Sequence, residues 1–556
     1  MVAQYRYDEH DQRIIDDRVR HYRDQTERFL DGKLVEDQFR PLRLRNGLYV
    51  QRLAPMLRVA IPYGTLNSTQ MRKLAYIARH YDKGYAHFST RQNIQYNWPM
   101  LEEVPDILAD LATVQMHAVQ TSGDCIRNVT ADHFSGIAAD EIADARPYCE
   151  IIRQWSTAHP EFDWLPRKFK IAVNGAAGVD RTAANVHDIG LDIVRLAEGG
   201  IGFDVKVGGG LGRTPVIGSL IRAGLPEKHL LSYLEAILRV YNRYGRRDNK
   251  YKARIKILVR AMGPEVFAAK VDAEWAHLVD GPSTVPTDEV ARVAAGFALP
   301  ALATEDDATS LLATQRFAER GFDHWLNHNV HPHRLRGYAA VTLSLKPTGT
   351  PPGDVTDVQL DAIANLADRF TLGEIRVSHE QNLVFPYVAQ RELFTLWQAL
   401  EAQCLGAANV GTINNIICCP GGDFCSLANA KSIPIAEALQ RRFEDLDYVY
   451  DLGPIDLNIS GCMNACGHHH VGHIGILGVD KKGEEFYQIS IGGNAGMDAS
   501  LGEILGPSFY SDQVPDVIEK ILDVYVAQRQ EGESFLATVR RLGIDPFKER
   551  VYANAA

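Results

Sequence analysis

The chain has 556 residues, 46% hydrophobic and 23% charged, with 59 basic against 70 acidic side chains and a net charge of −11. That length calls for two or three domains, and the acidic balance argues against a nucleic-acid binder. No apolar run is long enough to span a bilayer and the start, Met1–His10, is polar, so a cytoplasmic protein whose eight cysteines are reduced is expected.

Residues 1–46 read as a charged helical arm. Residues 47–118 carry a strand at Leu57–Ile61 with Arg58 on an otherwise apolar face. Next comes a helix whose apolar positions Met71, Leu74, Ile77, Ala78 and Tyr81 keep helical spacing, ending at Gly84. Ser89-Thr-Arg91-Gln-Asn then leads into an alternating strand, Ile94–Trp98, and a helix at Val104–Leu111. This β-α-β-α order fits a small ferredoxin-like module.

Residues 119–280 hold Arg127 in Gly123-Asp-Cys-Ile-Arg-Asn-Val and the pair Lys168 and Lys170, which alternate as on a strand and share a face. The loop Gly208-Gly-Gly-Leu-Gly-Arg213 breaks the dinucleotide pattern at its last position, so no nucleotide site is expected there. The basic run at 243–256 is expected to meet a polycarboxylate or phosphate-like ligand, given the acidic chain around it. Residues 281–329 are a connector.

At 330–402 the first module returns. A constant offset of 289 aligns Gln70, Gly84, Ser89, Gln92 and Asn93 with Gln359, Gly373, Ser378, Gln381 and Asn382. Arg91 becomes Glu380 under the same offset. Residues 403–556 form a larger module in which Ile491–Gly496 repeats Val207–Gly212 at an offset near 284. Here stand Cys419-x5-Cys425 and Cys462-x3-Cys466. Soft thiolates suit zinc or iron–sulfur centres, and structural zinc favours narrower pairs, so a 4Fe–4S cluster is the better reading. Cys125, Cys149, Cys404 and Cys418 read as small core residues. The histidines of Gly467–His473 read as packing or support around the cluster. The whole is an α+β tandem of two pseudo-equivalent halves, with one composite site taking metal from the second half and positive charge from the first.

These residues resemble the sirohaem-containing sulfite and nitrite reductases, most closely the haemoprotein component of assimilatory sulfite reductase. The motifs that carry the resemblance are the C-x5-C pair, Asn458-Ile-Ser-Gly-Cys-Met-Asn-Ala-Cys-Gly467, Ser89-Thr-Arg-Gln-Asn-Ile-Gln95, Arg127-Asn-Val and Leu165-Pro-Arg-Lys-Phe-Lys170. The resemblance implies sirohaem and a 4Fe–4S cluster, with Cys419, Cys425 and Cys462 as cluster ligands and Cys466 bridging to the sirohaem iron. It implies that Arg58, Arg127, Lys168 and Lys170 hold the substrate anion. Arg91, Gln95, Arg167, Lys252 and Asn464 match positions that meet the sirohaem carboxylates. Met463 and Asn97 depart from the Pro and His of many relatives.

The implied reaction is the six-electron reduction of sulfite to sulfide. The alternative is nitrite reduction, disfavoured because such enzymes tend to carry Asn where this chain has Lys170; a remoter one is a non-catalytic iron–sulfur electron-transfer subunit. The sequence carries no flavin or nicotinamide module, so the donor is expected to be external, either a ferredoxin or an NADPH-dependent flavoprotein.

Overall fold

The computed structural model describes residues 4–157, 159–303 and 308–553. The arm is two helices, Glu9–Leu30 and Glu36–Arg45, the first capped by the Asp8 carboxylate, which accepts from the His10 and Asp11 amides. Tyr22 and Phe39 anchor both helices in the first core.

Two antiparallel five-stranded sheets form the centre. One runs Leu48–Val50, Pro55–Val59, Ile94–Tyr96, Tyr85–Phe88 and Asp354–Thr356; the other runs Val330–Pro332, Tyr338–Leu343, Leu383–Ala389, Glu374–Val377 and Thr65–Asn67. Each repeat thus donates a three-residue strand to the other's sheet, Thr65–Asn67 pairing with Glu374–Arg376 and Asp354–Thr356 with Tyr85–His87. The helices that follow those strands, Ser68–Tyr81 and Asp357–Phe370, both begin with a capping box. They are tied by Arg72 to Asp368 at 2.5 Å and by Arg79 to Asp357 and Asp361 at 2.6 Å each. One apolar core runs through both repeats.

The outer two sheets are also a pair. Thr130–Ala131, Ile171–Asn174 and Ile189–Arg195 are parallel neighbours, and Ile201–Val207 and Ser219–Pro226 add antiparallel. Ile417–Cys418, Leu457–Ser460 and Ile474–Lys481 are again parallel, with Glu484–Ile491 and Glu503–Ile504 antiparallel. Each sheet has its own core. No described helix is long and apolar enough to cross a membrane.

One expectation is corrected. Lys168 and Lys170 are not on a regular strand: they flank Phe169, which makes a single bridge to Ile126, and the strand begins at Ile171. The alternation survives, because Phe169 is fully buried while both lysines are half-buried on the other side. The segment 281–329 contains helices Thr287–Ala295, Thr309–Ala318 and Arg320–Asn329. Val293 and Phe297 enter one core, and Phe322 and Trp325 another.

Candidate functional site

The four paired cysteines lie on loops that leave strands of the last sheet. Cys419 follows Ile417–Cys418, and its Sγ accepts the Gly461 amide at 3.2 Å. Cys462 and Cys466 follow Leu457–Ser460 in a tight loop where Ala465 and His468 have positive φ. Gly467 is obligatory there, because a Cβ would stand 1.9 Å from the Ile459 carbonyl oxygen. Burial pushes the Cys419 thiol up to about 12 and that of Cys462 to about 11, and a Cys466 thiolate would repel both. Cys425 is raised for the same first reason. Such thiols are stable as thiolates only around bound cationic metal. Among the described residues no group of three His, Cys, Asp or Glu side chains stands as it would around a single metal ion. Cys418 points away into the core, its Sγ donating to the Cys419 carbonyl at 3.2 Å.

The cysteine loops dock on the first half. Thr90 Oγ1 donates to the Cys466 carbonyl at 2.8 Å, the Ser426 amide to Gln51 Oε1 at 3.0 Å, and Phe424 meets Trp98 edge-on. Cys466 itself is exposed. Lys168 and Lys170 act on it, and Arg127 acts on Lys168. Arg58 Nη1 and Arg127 Nη1 share the Thr121 carbonyl as acceptor, at 3.3 and 2.8 Å; Arg58 Nε donates to Gln95 Oε1 at 2.8 Å, and Arg127 clamps the Gly123 carbonyl.

Burial, and then Arg127, bring the Lys168 ammonium down to about 8, with a Cys466 thiolate acting against the fall. Lys170 falls well below the usual lysine range through burial and then Arg91 and Lys168. Arg91 drops to about 9 through burial and Arg127, and contacts His187 Nε2 at 2.5 Å and the Asn128 carbonyl at 2.6 Å.

The nearby acids leave this charge uncancelled. Asp124 accepts the Lys168 backbone amide at 3.2 Å and pairs with Arg167 at 2.9 Å. Asp188, fully buried, accepts the Lys170 backbone amide at 2.8 Å and pairs with Arg254 at 2.7 Å. Neither lysine ammonium forms an ion pair with any described residue. A cluster of half-buried cations without counter-charge fits an anionic ligand and a carboxylate-rich macrocycle on the outer side of Cys466.

The structure therefore brings together Arg58, Gln95, Arg91, Arg127, Lys168, Lys170 and Cys466, with Cys419, Cys425 and Cys462 behind. Arg167 is engaged by Asp124, Asn464 is exposed between the last two cysteines, and Lys252 stands apart on an exposed turn, two residues from Arg254. Sequence reading missed Arg254, Asp188 and His187. Arg254 lay inside the basic run, but nothing distinguished it there. Of the histidine run, His468 is buried facing Lys170 and Arg91, and His470 Nε2 meets the Gly212 carbonyl at 3.1 Å. That second contact ties the glycine loop of the first half to the cysteine module. Lys256 Nζ fixes the same loop through the Leu211 and Thr214 carbonyls at 2.6 Å each.

Comparison with known proteins bears on both halves of this site. The family model for the nitrite and sulphite reductase 4Fe-4S domain matches residues 122–279 and 410–555. That for the nitrite/sulfite reductase ferredoxin-like half domain matches 51–114 and 337–403. A sulfite reductase (ferredoxin) of Mycobacterium tuberculosis is 30% identical over 507 residues, 89% of this chain and 83% of that one. A ferredoxin–nitrite reductase of Synechococcus elongatus is 30% identical over 495 residues, 86% of this chain and 88% of the other. The solved structure of the Mycobacterium tuberculosis NirA protein superposes with a TM-score of 0.76 at 28% identity, covering 92% of each chain. The chain belongs to the nitrite and sulphite reductase family: it is an oxidoreductase, and its family implies a sirohaem and a 4Fe–4S cluster.

Proposed function

We propose that the chain is a ferredoxin-dependent sulfite reductase that converts sulfite to sulfide with six electrons. The observation that supports this reading is a group of four cations, Arg58, Arg127, Lys168 and Lys170, that pair with no acid among the described residues, the two lysines acting on the exposed Cys466. Sirohaem and the cluster, when bound, would supply the one-electron redox chemistry at this site. Cys419, Cys425 and Cys462 would hold the cluster, and Cys466 would be shared between cluster and sirohaem.

Arg91, half-buried and ion-paired with no carboxylate among the described residues, is the strongest of the expected partners for the macrocycle's carboxylates, joined by Arg254. Gln95 and Asn464 offer amides; Arg167 would have to loosen its pair with Asp124, and Lys252 its exposed turn. The four cage cations divide by chemistry. A guanidinium presents a planar fork of donors, so Arg58 and Arg127 hold the oxyanion and the charge that develops as S–O bonds break. Ammoniums brought down by burial and neighbours give protons up, so Lys168 and Lys170 protonate the oxygen atoms that leave as water.

A ferredoxin donor is preferred over an NADPH flavoprotein because the sulfite- and nitrite-reducing relatives are both named for ferredoxin. Sulfite is preferred over nitrite because a dianion needs the compensating charge of Lys170. The test is steady-state turnover of the loaded enzyme with reduced ferredoxin. A kcat/KM higher for sulfite than for nitrite is expected, and the reverse order overturns the sulfite reading.

A further inference from the structure

Both repeats grip the outer sheets with the same side chain, and in the half that carries the paired cysteines the grip has an extra part. Gln92 and Gln381, equivalent under the offset of 289, are buried and both take positive φ, 55° and 62°. Gln92 Oε1 accepts the Ala131 amide at 3.2 Å, and its Nε2 donates to the Ala131 and Val377 carbonyls at 2.9 Å each. Gln381 Oε1 likewise accepts the Cys418 amide at 2.8 Å, and its Nε2 donates to the Cys418 carbonyl at 3.0 Å and the Phe88 carbonyl at 2.9 Å. Each glutamine thus pairs like one more strand residue with an edge strand, Thr130–Ala131 or Ile417–Cys418. Positive φ at a residue other than glycine is strain that its contacts must offset. The fit is close: a Cβ on Gly353 would stand 2.9 Å from Gln381 Nε2.

The extra part is His87. Its Nε2 lies 3.1 Å from Gln381 Nε2, and its Nδ1 lies 2.7 Å from the carboxylate of Asp354, directly across the exchanged strand pair. The Cys418 backbone fixes which end of the Gln381 amide is nitrogen, and an amide nitrogen only donates. His87 Nε2 therefore accepts, and the ring proton is on Nδ1, given to Asp354. In the first half the equivalent residue, Arg376, turns instead to Glu374 and the His133 and Ser135 carbonyls, and Gln92 Nε2 has no third acceptor among the described residues. Beyond Gln381 the chain of contacts reaches Cys419. Ile417–Cys418 pairs with Asn458–Ile459, the strand whose loop sets the Gly461 amide 3.2 Å from Cys419 Sγ.

We propose that His87 is a positioning residue of the cluster: held by Asp354, it fixes the Gln381 amide, which fixes the edge strand so that the Gly461 amide stays on Cys419 Sγ. The inference rests on Cys419 being a cluster ligand and is independent of whether sulfite or nitrite is reduced. A donor on a ligand sulfur stabilises the more negative, reduced cluster, so loosening the chain makes the cluster harder to reduce.

The test is a redox titration of the holoenzyme followed by electron paramagnetic resonance of the reduced cluster, together with hydrogen exchange of the segment around Cys418. His87→Phe keeps a ring and removes both nitrogens. It is expected to lower the equilibrium constant for one-electron reduction of the cluster at least about threefold, roughly 30 mV, and to speed exchange about tenfold, at unchanged iron and sirohaem content. His87→Gln, which offers an oxygen to Gln381 and an amide proton to Asp354, is expected to restore both. An unmoved potential in His87→Phe overturns the inference whatever the exchange shows, since a merely structural histidine would loosen the strand without touching the cluster. Equal shifts in His87→Phe and His87→Gln overturn it as well, because the acceptor would then not matter. If His87→Phe fails to load its cofactors, Asp354→Ala decides: the imidazole remains but nothing holds its proton on Nδ1, and an unmoved potential refutes the chain. A full cluster signal in Cys419→Ser refutes the ligand reading instead, and the two failures are thereby distinguished.

Discussion

Arg91 in the first half and Glu380 in the second occupy equivalent places, 289 residues apart, yet their surroundings are opposites. Arg91 belongs to an open group of like charges that lower one another's proton affinity. Glu380 belongs to a closed one. Asn415 Nδ2 donates to the Glu380 carboxylate at 2.6 Å, while the Asn415 side-chain oxygen takes Lys346 Nζ at 2.7 Å and Asn382 Nδ2 at 3.0 Å. Lys346 is fully buried and pushed down to about 7 by burial, with Glu380 acting against the fall. The second half joins Glu380 and Lys346 through Asn415 and is fit for structure. In the first half the Lys168 and Lys170 ammoniums pair with no acid among the described residues, which is fit for a ligand. A duplicated fold can thus hold one site because only one copy keeps charge uncompensated at its centre.

The sharpest way to break this division is at Cys466, the one atom set that both halves address. Cys466→Ser is expected to lose cluster and sirohaem together, with iron falling from about five per chain towards none and activity below detection. Cys418→Ser, which alters a core thiol, should keep both absorption spectra. Loss of the cluster in Cys418→Ser instead would show that the other member of the adjacent pair is the ligand.

Glu380→Arg imposes the first copy's residue on the second. It places an unpaired guanidinium beside the buried Lys346 and strips Asn415 of its acceptor, so a loss of about 3–5 kcal/mol is expected. The measurement is the chemical unfolding midpoint, alongside turnover per sirohaem in whatever folded protein remains. Turnover per sirohaem should be unchanged; a selective loss of activity without loss of stability would mean the second copy also serves the reaction.

How much of this was legible beforehand follows from the range of the interactions. The repeat, the helices and the cysteine pairs were readable because periodicity and spacing are local properties of the chain. Arg58 was readable as a charge on an apolar strand, and Lys168 and Lys170 by their alternation, although only Phe169 between them pairs with a neighbour. The exchanged strands Thr65–Asn67 and Asp354–Thr356 left no signal, being three residues long and stabilised only by partners about 310 and about 270 positions away. Asp188 was hidden for the same reason. An aspartate whose task is to hold the Lys170 amide and Arg254 resembles any other aspartate in a turn. Within residues 281–329 the Ala-, Thr- and Asp-rich composition gave no sign of how Val293, Phe297, Phe322 and Trp325 pack, because they are fixed by cores formed elsewhere.

Within the open copy, Lys170→Asn tests whether charge number sets substrate choice. Sulfite turnover is expected to fall at least about tenfold, roughly 1.4 kcal/mol of transition-state stabilisation, while nitrite turnover falls less or rises. Cofactor content must match wild type. Equal losses on both substrates would make Lys170 a general anchor and remove its role in discrimination.

The smallest effect compares the halves where they are most alike. Asn67 and Thr356 cap equivalent helices, accepting from the Gln70 and Gln359 amides at 2.9 and 3.2 Å. The two glutamines reach on to the Val114 and Gln403 carbonyls, at 3.0 and 2.9 Å. Removing either cap by substitution with Ala should cost about 1 kcal/mol. Asn67 differs in where its second contact goes, since its Nδ2 donates to Gln4 Oε1 at 2.9 Å and so ties the arm to the first repeat, whereas Thr356 Oγ1 donates back to Gln359 Oε1 at 3.2 Å. Asn67→Ala should therefore be the costlier change by about 0.5–1 kcal/mol. A chain with several cores and two cofactors is not expected to unfold in one step, so the measurement is hydrogen exchange at the first turn of each helix. Faster exchange by roughly fivefold is expected at residues 70–72 in Asn67→Ala and at 359–361 in Thr356→Ala, with the arm segment around Gln4 loosened in the first variant alone. If the arm exchanges equally in both, the Gln4 contact does not hold it, and the two caps are energetically the same device used twice.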